Sequence, residues 1–472
     1  MRLSLKSLND VKPEVARPAY DPAGLEIGVV HFGPGAFHRA HQAAVFDTIS
    51  AKDPRWGICG VSLHSAGVRD ALKPQDGLYT LAILDEVIGY QIIGSVREVL
   101  VAPEDSEAVF ARLMTARIVT STVTEKGYCL TVDGALDFGH ADIVRDLSTP
   151  RAPSSLIGYL VEGLRRRHAA GLEPFVLIPC DNLPKNGHRL KAAVVAFAAR
   201  IDASLSAWIE ARLACPCTMV DSITPATDDN LRALVDGATG LEDAWPIRRE
   251  AFTQWVIENH HHKDGPDWAS AGVTLTDNVP AHERAKLRLL NASHSYLAYA
   301  GSLRGFETVA EAIADPELAQ GVRDLMLKDM APLLEAPTGM DLPGYAAAIQ
   351  KRFHNPAIRH LLAQIAWDGS QKLPIRVLSS MGEALAKGHD IRRFAGVMAV
   401  WMRFVRMRVE AGEAIVDPLA AELAAVGAKM TDADSDVDLF LALRAVFPEA
   451  LAGDARVVDA LKAAYRSALQ IR

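Results

Sequence analysis

The chain has few cysteines, no long apolar run and no excess of positive charge, and each shortage excludes a class of protein. Five cysteines are scattered through 472 residues, which argues against a disulfide framework and for reduced thiols in a cytoplasm. No apolar run reaches the ~18 residues of a membrane span, and the first residues lack the apolar core of a signal peptide. The net charge of −8 provides no basic surface for nucleic acid. We therefore expect a cytoplasmic protein that binds neither membranes nor nucleic acid.

The pattern of apolar residues changes along the chain. Hydrophobic residues make up 49% and charged residues 23%, which is ordinary for a globular protein of two or three domains. Up to about residue 275, apolar runs alternate with helical patterns, as at strand-like 56–61, 118–122, 175–178 and 218–220 and helix-like 107–114, 154–168 and 190–200. Residues 78–84 and 90–93 read as an inserted hairpin. Beyond about 280 the patterns are helical, with breaks at Pro316, Pro332, Pro337 and Pro356.

A glycine turn follows the first strand-like run. Ile27-Gly-Val-Val-His-Phe32 is followed by Gly33-Pro-Gly35 and then by a helical pattern. Two glycines two apart allow a tight turn and the approach of a pyrophosphate, although position 38 has His where the usual fingerprint has a third glycine. A plain tight turn would also explain the pair. With the alternation of elements, the turn predicts an α/β fold: a Rossmann-like, mostly parallel sheet domain over 1–278, followed by a mainly α-helical domain over 279–472.

A second segment carries reactive side chains. Lys286-Leu-Arg-Leu-Leu-Asn291-Ala-Ser-His294 places an amine, an amide and an imidazole within nine residues of a helical pattern. At about 100° per residue, Asn291 lies roughly 140° and His294 roughly 80° around the axis from Lys286, so the three share one broad face. Such groups suit proton transfer at a carbinol or carbonyl. A solvated lysine, an asparagine and a histidine at the edge of the core are the alternative.

Two short runs look like metal ligands. Cys215-Pro-Cys217 lacks the usual spacing and a second ligand pair, so thiols in or at the edge of the core are the better interpretation. His260-His261-His262 lacks partners at helical spacing and reads as a polar surface loop. We predict no catalytic metal.

Taken together, ordered motifs along most of the chain resemble the polyol-specific long-chain dehydrogenases, the mannitol dehydrogenase family. The motifs are Gly33-Pro-Gly35-Ala-Phe37-His38-Arg39-Ala40-His41, Thr122-Val-Thr-Glu125-Lys-Gly127-Tyr128, Cys180-Asp181-Asn182-Leu-Pro184-Lys-Asn186-Gly187, Met219-Val-Asp221-Ser-Ile-Thr-Pro225, Gln254-Trp255-Val-Ile-Glu258, the Lys286/Asn291/His294 helix and Asp368-Gly-Ser-Gln-Lys372-Leu-Pro374. The family's Lys-x4-Asn-x2-His signature is complete. The resemblance implies an oxidoreductase. Because the reactive helix opens the second domain, we expect the active site in the cleft between the domains.

The resemblance also implies roles for individual residues. Lys286 is the expected acid/base in place of a zinc ion. Asn182 and Asn291 would donate amide N–H groups to the substrate oxygen, where charge develops. His294 would bind substrate hydroxyls or orient the lysine, and Asp221 would support the substrate site. From the residues alone, Asn182 could equally be a turn residue.

The expected cofactor is NAD. Its binding residues would be Phe32, Gly33, Gly35, Ala36, Phe37 and His64. An acidic residue after the second strand would select NAD through the ribose 2′-OH, but Val61-Ser-Leu-His64 ends without one. Because His64, Ser65 and Arg69 could accept a 2′-phosphate, NADP is not excluded.

The expected substrate is a small sugar acid or polyol. The segment from Gln371 to Arg376 looks more like the fructuronate reductase form than the mannitol dehydrogenase form, and Lys372 and Arg376 could pair with a carboxylate. Arg376 facing solvent is the alternative. The chain departs from the family at Ala36, Ser222 and Ala292, where Asn, Arg and Gly are common.

Three functions therefore remain in view. The first is reduction of D-fructuronate to D-mannonate, and the second is a mannitol 2-dehydrogenase acting on polyol and ketose. The third is a non-catalytic sensor of NAD(H) or a sugar acid, which the complete Lys-Asn-His set argues against. A monomer or a small homo-oligomer is expected.

Overall fold

The computed structural model describes residues 1–260, 264–337 and 339–471, and the chain divides into two compact units. Unit 1 is Met1–Pro280 and unit 2 is Ala281–Arg472. The boundary expected from the sequence, between residues 278 and 279, falls at the start of the helix Val279–Ala285. Unit 1 carries every named strand among the described residues.

The strands of unit 1 are short and mostly buried. Their bounds are β1 Ile27–Phe32, β2 Gly57–Ser62, β3 Tyr79–Leu84, β4 Gly89–Ile93, β5 Val96–Val101, β6 Ile118–Ser121, β7 Val176–Pro179, β8 Thr218–Asp221, β9 Ile247–Glu250, β10 Gln254–Glu258 and β11 Thr274–Thr276. The central sheet has the order β5-β2-β1-β6-β7, and every neighbouring pair in it is parallel. The chain first adds β2 and β5 on one side of β1 and then adds β6 and β7 on the other side. The carboxyl ends of β1 and β6 therefore form the switch point at which open α/β sheets bind ligands.

Helices cover both faces of this sheet. In unit 1 they are α1 Ala36–Ala40, α2 Gln42–Ser50, α3 Gly67–Leu72, α4 Ser106–Thr115, α5 Ala141–Ser148, α6 Leu156–Ala169, α7 Asn186–Ala199, α8 Ala203–Arg212 and α9 Asp229–Thr239. Residues of β1 enter two different cores: Val30 and Phe32 belong to the buried cluster that contains Leu160 of α6, and Val29 belongs to the cluster that contains Phe46 of α2. Because both faces are buried, the strands read as continuous apolar runs in the sequence.

Two three-stranded sheets flank the central one. β3 and β4 form the antiparallel hairpin expected from the sequence, and β9 joins β3 in parallel. β8 was expected in the parallel sheet with the other buried runs. It instead pairs antiparallel with β10, which pairs in parallel with β11. A buried apolar run does not specify its partner strand, because partner choice depends on tertiary packing.

Unit 2 is helical, as the sequence pattern predicts. Its helices continue from α10 Val279–Ala285: α11 Ala292–Leu303, α12 Val309–Ala314, α13 Pro316–Asp324, α14 Leu342–Phe353, α15 Leu362–Ile365, α16 Gly369–Leu373, α17 Ser379–Ala386, α18 Arg392–Glu410, α19 Ala420–Gly427, α20 Ser435–Leu441, α21 Glu449–Ala452 and α22 Ala455–Ala468. The long α18 packs against α11 and α22. Across the described ranges, no helix has the length and apolar character to cross a bilayer. The predicted fold class, a Rossmann-like domain before a mainly helical domain, is confirmed.

Within the described part of unit 2, three stretches are π-helical: π1 Lys286–Asn291, π2 Leu325–Met330 and π3 Pro374–Leu378. π1 contacts both of the others. π-helical turns are rare and are frequent at functional sites. Two of the three contain side chains that the sequence marks as reactive, so this part of unit 2 is a candidate location for chemistry.

Candidate active site

The glycine loop after β1 is held in one conformation by unit 1 itself. Gly33 has a φ of +86°, and a Cβ at this position would lie 2.2 Å from the carbonyl oxygen of Thr122. Only glycine tolerates both conditions. The Gly33 carbonyl accepts hydrogen bonds from Gly35 N at 2.6 Å and from Thr122 Oγ1 at 2.8 Å. Phe32, the last residue of β1, is fully buried directly before the turn.

Gly35 is a glycine for a different reason. It has a φ of −73°, and a Cβ there would meet nothing in the chain closer than 3.8 Å. The fold alone would therefore accept a larger residue at this exposed position. A glycine here is explained if a phosphate of the ligand must approach the main chain closely, as happens in dinucleotide-binding loops. The position thus fits a pyrophosphate at the switch point beside β1.

The helix after the loop departs from the usual fingerprint. Ala36 and Phe37 begin α1, which ends after five residues, and α2 starts again at Gln42. His38 occupies the place of the third glycine. Its ring stacks on that of His31 in β1, with 3.4 Å between the ring centroids, and both rings are fully buried. This stack takes over the helix–strand packing that the third glycine serves elsewhere.

The buried histidine pair is neutral. Burial lowers the pKa of His31 to about 3 and holds the pKa of His38 well below its usual range. His31 Nδ1 lies 2.7 Å from Thr120 Oγ1, and Nε2 lies 2.9 Å from Thr122 Oγ1. These contacts join β1 to β6 next to the glycine loop.

The segment after β2 bears on the choice of nucleotide. His64 lies two residues beyond β2 and is exposed. Arg69 of α3 donates to Asp70 at 2.8 Å and also forms an ion pair with Glu104. The sequence offers Arg69 as a residue that could accept a 2′-phosphate, but two carboxylates already balance its charge.

The loop after β7 presents Asn182 on a rigid support. The Asp181 carboxylate accepts hydrogen bonds from Thr124 N at 2.8 Å and from Tyr128 Oη at 2.6 Å, which ties this loop to the one after β6. The Asn186 side chain donates to Asp181 O and Thr218 O and accepts from Thr218 N. Asn182 itself is exposed. Asp181 and Asn186 thus perform the structural work of the turn.

Asp221 ends β8 and is 6% exposed. Its neighbour Ser222, which stands where the family often has arginine, donates to the Phe252 carbonyl at 3.1 Å. The shorter side chain is therefore bonded to the turn between β9 and β10, and it brings no cation of its own to Asp221.

In unit 2, the reactive helix is wound differently from the sequence expectation. Lys286 and Asn291 are the first and last residues of π1, and both are half-buried. A π turn closes from residue i to residue i+5, so one turn separates the two. The 140° separation derived from a regular α-helix is wrong, because the helix is underwound where these residues lie. The π turn places Asn291 close to the same side of the axis as Lys286.

His294 lies on α11, one α-helical turn beyond π1. Its ring packs against Phe353, with 4.5 Å between ring centroids, and against His360 at 5.2 Å. Burial, and then the nearby charges of His360, Arg352 and Arg376, hold the pKa of His294 well below its usual range. Among the described residues, the buried Nε2 has no hydrogen-bond partner. A neutral imidazole with an unsatisfied buried nitrogen is suited to a substrate hydroxyl.

Arg376 of π3 does not face solvent. Its Nη1 donates to Ser295 Oγ at 3.1 Å and to Asn291 O at 3.3 Å, so the guanidinium lies on the reactive helix. Lys372 of α16 is held by the Trp367 carbonyl at 2.6 Å. Burial lowers the pKa of both cations. Unit 2 therefore brings Asn291, His294 and Arg376 together. The Lys372 ammonium instead donates to the carbonyl of Trp367 in the segment just before α16.

Sequence reasoning missed two residues of this cluster. His360 and the buried Arg352 act on the His294 ring, but they come from α14 and the segment after it. Only tertiary packing brings them to α11, so no local spacing pattern could have identified them.

Comparisons with known proteins agree with this architecture. The family model for the mannitol dehydrogenase Rossmann domain matches residues 27–270, and the model for the mannitol dehydrogenase C-terminal domain matches residues 278–469. The chain is 42% identical to D-mannonate oxidoreductase of Escherichia coli (strain K12), covering 98% of this chain and 97% of that one. It is 38% identical to mannitol 2-dehydrogenase of Phaeosphaeria nodorum, covering 99% and 83%.

Solved structures show the same fold. The ternary complex of Pseudomonas fluorescens mannitol 2-dehydrogenase with NAD and D-mannitol matches with a TM-score of 0.83 and 35% identity, covering 100% of this chain and 97% of that one. A substrate-free D-sorbitol dehydrogenase matches with a TM-score of 0.88 and 34% identity, covering 98% and 100%. The NAD-bound neighbour and the Rossmann-like sheet are consistent with the expected cofactor. The chain belongs to the mannitol dehydrogenase family of oxidoreductases.

Proposed function

We propose that this chain interconverts D-fructuronate and D-mannonate with NAD(H) as the cofactor. The similarity to an E. coli D-mannonate oxidoreductase supports this substrate class. The observation that carries the proposal is the environment of Arg376, which favours a sugar acid over a neutral polyol.

Arg376 is a largely buried cation whose hydrogen bonds go to neutral groups. The acceptors found for its guanidinium are the Ser295 hydroxyl and the Asn291 carbonyl, and no carboxylate pairs with it within 1–260, 264–337 and 339–471. Buried charges in proteins are normally paired, because desolvation is costly. A carboxylate arriving with the substrate would supply the missing charge, and a guanidinium binds it through two parallel hydrogen bonds.

Lys286 is the proposed acid/base. Bound NADH supplies the hydride that reduces the ketone carbon. The ketone oxygen takes a proton from the Lys286 ammonium, which leaves a neutral amine to be reprotonated from solvent, and oxidation of the alcohol runs in reverse. A lysine side chain in water has a pKa of about 10.4, so the site has to lower it for this step near neutral pH.

Asn182 and Asn291 are the proposed donors to the substrate oxygen. An amide N–H aimed at an oxygen that develops negative charge stabilises the transition state. His294 is proposed to bind a substrate hydroxyl through its unsatisfied Nε2, and Asp221 to support the site. These roles are consistent with the rigid support of Asn182 and the π winding of the Lys286–Asn291 segment.

NAD is the proposed cofactor in preference to NADP. Phe32, Gly33, Gly35, Ala36 and Phe37 form the proposed pyrophosphate side of the site, and His64 stands on the ribose side. A 2′-phosphate would have to compete with Asp70 and Glu104 for Arg69. A ribose 2′-OH has no need of that arginine.

A polyol dehydrogenase is the second candidate. Its support is the similarity to mannitol 2-dehydrogenases over almost the whole chain. In this case Arg376 would bind a hydroxyl, and its charge would have no partner in the substrate.

The test is the initial rate of NADH consumption with fructuronate, tagaturonate and fructose. We expect fructuronate to have the highest kcat/KM. A preference for fructose would establish the polyol function, and no turnover with any ketose or uronate would favour a sensor. Replacing NADH by NADPH in the same assay tests the cofactor assignment.

A further inference from the structure

One ligand-type run that the proposed function does not use, Cys215-Pro-Cys217, lies beside other ligand-type side chains in unit 1. Cys217 stands at the start of β8, and Glu258 ends β10, two residues before the histidine run that begins at His260. Cys217 Sγ, a Glu258 carboxylate oxygen and a ring nitrogen of His188 all lie within 4.8 Å of one another. We propose that these three side chains bind a divalent ion of the zinc class.

The strand pairing fixes two of the ligands on one face. In the register of β8 and β10, Ile257 is opposite Thr218, and residues 217 and 258 form the next pair. Glu258 N donates to Cys217 O at 2.9 Å, and Cys217 N donates to Glu258 Oε2 at 2.9 Å. Side chains of directly opposed residues project to the same side of an antiparallel pair. The thiol and the carboxylate therefore face the same space.

A close helix approach brings the third ligand. A Cβ on Gly187 would lie 2.5 Å from backbone atoms of Cys215 and Pro216, so the first turn of α7 rests directly on the chain before β8. Next to it, the Asn186 side chain accepts from Thr218 N at 2.9 Å. His188 is the following residue, and its Nε2 lies 3.7 Å from Glu258 Oε2. The three ligands are thus mounted on one rigid framework.

The donor set and its exposure suit zinc. Thiolate, imidazole and carboxylate together are typical of Zn²⁺ sites, whereas Mg²⁺ and Ca²⁺ prefer oxygen alone. Ligand atoms about 2.0–2.3 Å from a tetrahedral zinc lie roughly 3.3–3.7 Å apart. The separation between His188 and Glu258 meets this value. The side chain of His188 is 64% exposed, so it can rotate to shorten its distance to Cys217. Cys217 is 4% exposed, so the ion would enter from the His188 side with water as the fourth ligand.

Binding would exchange a proton for the metal. The thiol of Cys217 loses its proton to solvent as the sulfur–metal bond forms, so no oxidant or reductant is involved. The three ligands are not among the residues of the proposed Lys286 proton transfer, and that proposed step does not use the ion. Its effect is to bind β8, β10 and α7 together, which stabilises the folded state at metal concentrations above the Kd.

The experiment loads chelator-treated protein with Zn²⁺, and separately with Co²⁺, and removes the excess by gel filtration. We expect one retained zinc per chain, a thiolate-to-cobalt charge-transfer band, and a Tm raised by roughly 5 °C at zinc about 100-fold above the Kd. Mg²⁺ should have none of these effects. Failure of the wild-type protein to retain zinc would overturn the proposal.

Variants separate this site from other ligands in the chain. Cys217→Ser should abolish the cobalt band, and His188→Ala, at an exposed position where folding is not in question, should weaken zinc binding at least about tenfold. Cys215→Ser and Cys129→Ser should bind as the wild type does; Cys129 lies with His140 and Asp142 in a second cluster of ligand-type residues. Replacing His260, His261 and His262 together by Ala controls for binding by the histidine run, of which His261 and His262 lie outside the described residues. Loss of binding in Cys129→Ser or in the histidine-run variant, with Cys217→Ser unaffected, would contradict the assignment.

Discussion

The glycine loop of unit 1 and the reactive helix of unit 2 differ in how completely the chain satisfies its own polar groups. Around the loop, the Gly33 carbonyl, the His31 ring and the Asp181 carboxylate are bonded to neighbouring strands and turns. Around the helix, His294 Nε2 lacks a partner among the described residues, and Arg376 is held by neutral acceptors. The loop itself is therefore bonded within unit 1, although both ring nitrogens of His38 in the helix after it are buried without a hydrogen-bond partner among the described residues. The cluster on the helix instead leaves a buried imidazole nitrogen and a guanidinium for a ligand.

This contrast separates stability from function. Substitutions in the satisfied network around the loop should mainly lower the free energy of unfolding, because they leave buried groups without partners. Substitutions in the unsatisfied cluster should mainly lower activity, because the groups there serve the substrate. The largest effect is expected at the residue that moves the proton.

Lys286→Ala should lower turnover by ~10²–10⁴-fold, the usual contribution of one acid/base. Binding of NADH should remain close to that of the wild type, because the lysine moves a proton and does not hold the nucleotide. Steady-state kinetics and a fluorescence titration with NADH measure the two quantities. A variant that keeps more than about a third of wild-type turnover would remove Lys286 from the mechanism.

Asn182→Ala and Asn291→Ala should each slow the reaction by ~10²–10³-fold. Asn186→Ala, in the same loop as Asn182, is the matched control. It should lower the free energy of unfolding by ~1–3 kcal/mol, because its amide bridges Asp181 and Thr218 in the buried network. Denaturant melts and kcat, measured on Asn182→Ala and Asn186→Ala, test whether the first residue serves catalysis and the second serves stability. If Asn182→Ala changed only KM, Asn182 would be a binding contact instead.

Arg376→Met should reduce the preference for fructuronate over fructose by ~10–150-fold. A charge-assisted hydrogen bond contributes roughly 1.5–3 kcal/mol, and about 1.4 kcal/mol corresponds to a factor of ten. The loss should fall on fructuronate, because fructose has no carboxylate. Arg359→Met, which removes an exposed arginine paired with Glu307, should leave the ratio unchanged. Equal losses on both substrates in the Arg376 variant would indicate a structural role.

The buried histidine pair should make unit 1 sensitive to acid. Because burial depresses the folded-state pKa of His38 below the unfolded value of 6.5, the unfolded chain binds more protons below pH 6.5. The contribution of the neutral ring is full above that pH and is lost as the pH falls. Between pH 7 and pH 5, wild-type protein should lose about 2 kcal/mol more stability than His38→Phe, which keeps a stacked ring without a titrating group. If the free energy of unfolding changed with pH in the same way in both proteins, His38 would not be the cause of the acid sensitivity.

Exhaustive chelation should leave turnover unchanged, because the proposed proton transfer uses Lys286. Elemental analysis before and after the treatment relates any loss of bound zinc to the activity that remains. Activity that disappears with the metal and returns with it would contradict the lysine mechanism.

Much of the fold could be predicted because apolar runs and turn residues carry it locally. The predicted runs at 118–122 and 175–178 match β6 and β7 to within one residue at each end. The partner of β8 could not be predicted, since antiparallel pairing with β10 joins segments separated by a long stretch of chain. The same limitation hid the meeting of Cys217 with Glu258, because the sequence spacing considered only the Cys215-Pro-Cys217 run and favoured thiols in or at the edge of the core.

The site was less predictable than the fold. The segment Lys286-Leu-Arg-Leu-Leu-Asn291 contains good α-helix formers, so nothing local indicates a π turn. The winding accompanies packing against π2 and π3, which only the folded unit contains. The orientation of Arg376 was undecided for the same reason: its contacts with Ser295 and Asn291 lie far away in sequence.

Titration calorimetry of the NADH-saturated protein with D-mannonate and D-mannitol, two alcohols that cannot react with the reduced cofactor, tests the central claim most directly. The two ligands differ only in having a carboxylate or a CH₂OH group at C1. If Arg376 pairs with the substrate carboxylate, D-mannonate should bind at least about tenfold more tightly than D-mannitol. This difference in affinity should disappear in Arg376→Met. Equal affinities in the wild type, or tighter binding of D-mannitol, would contradict the account.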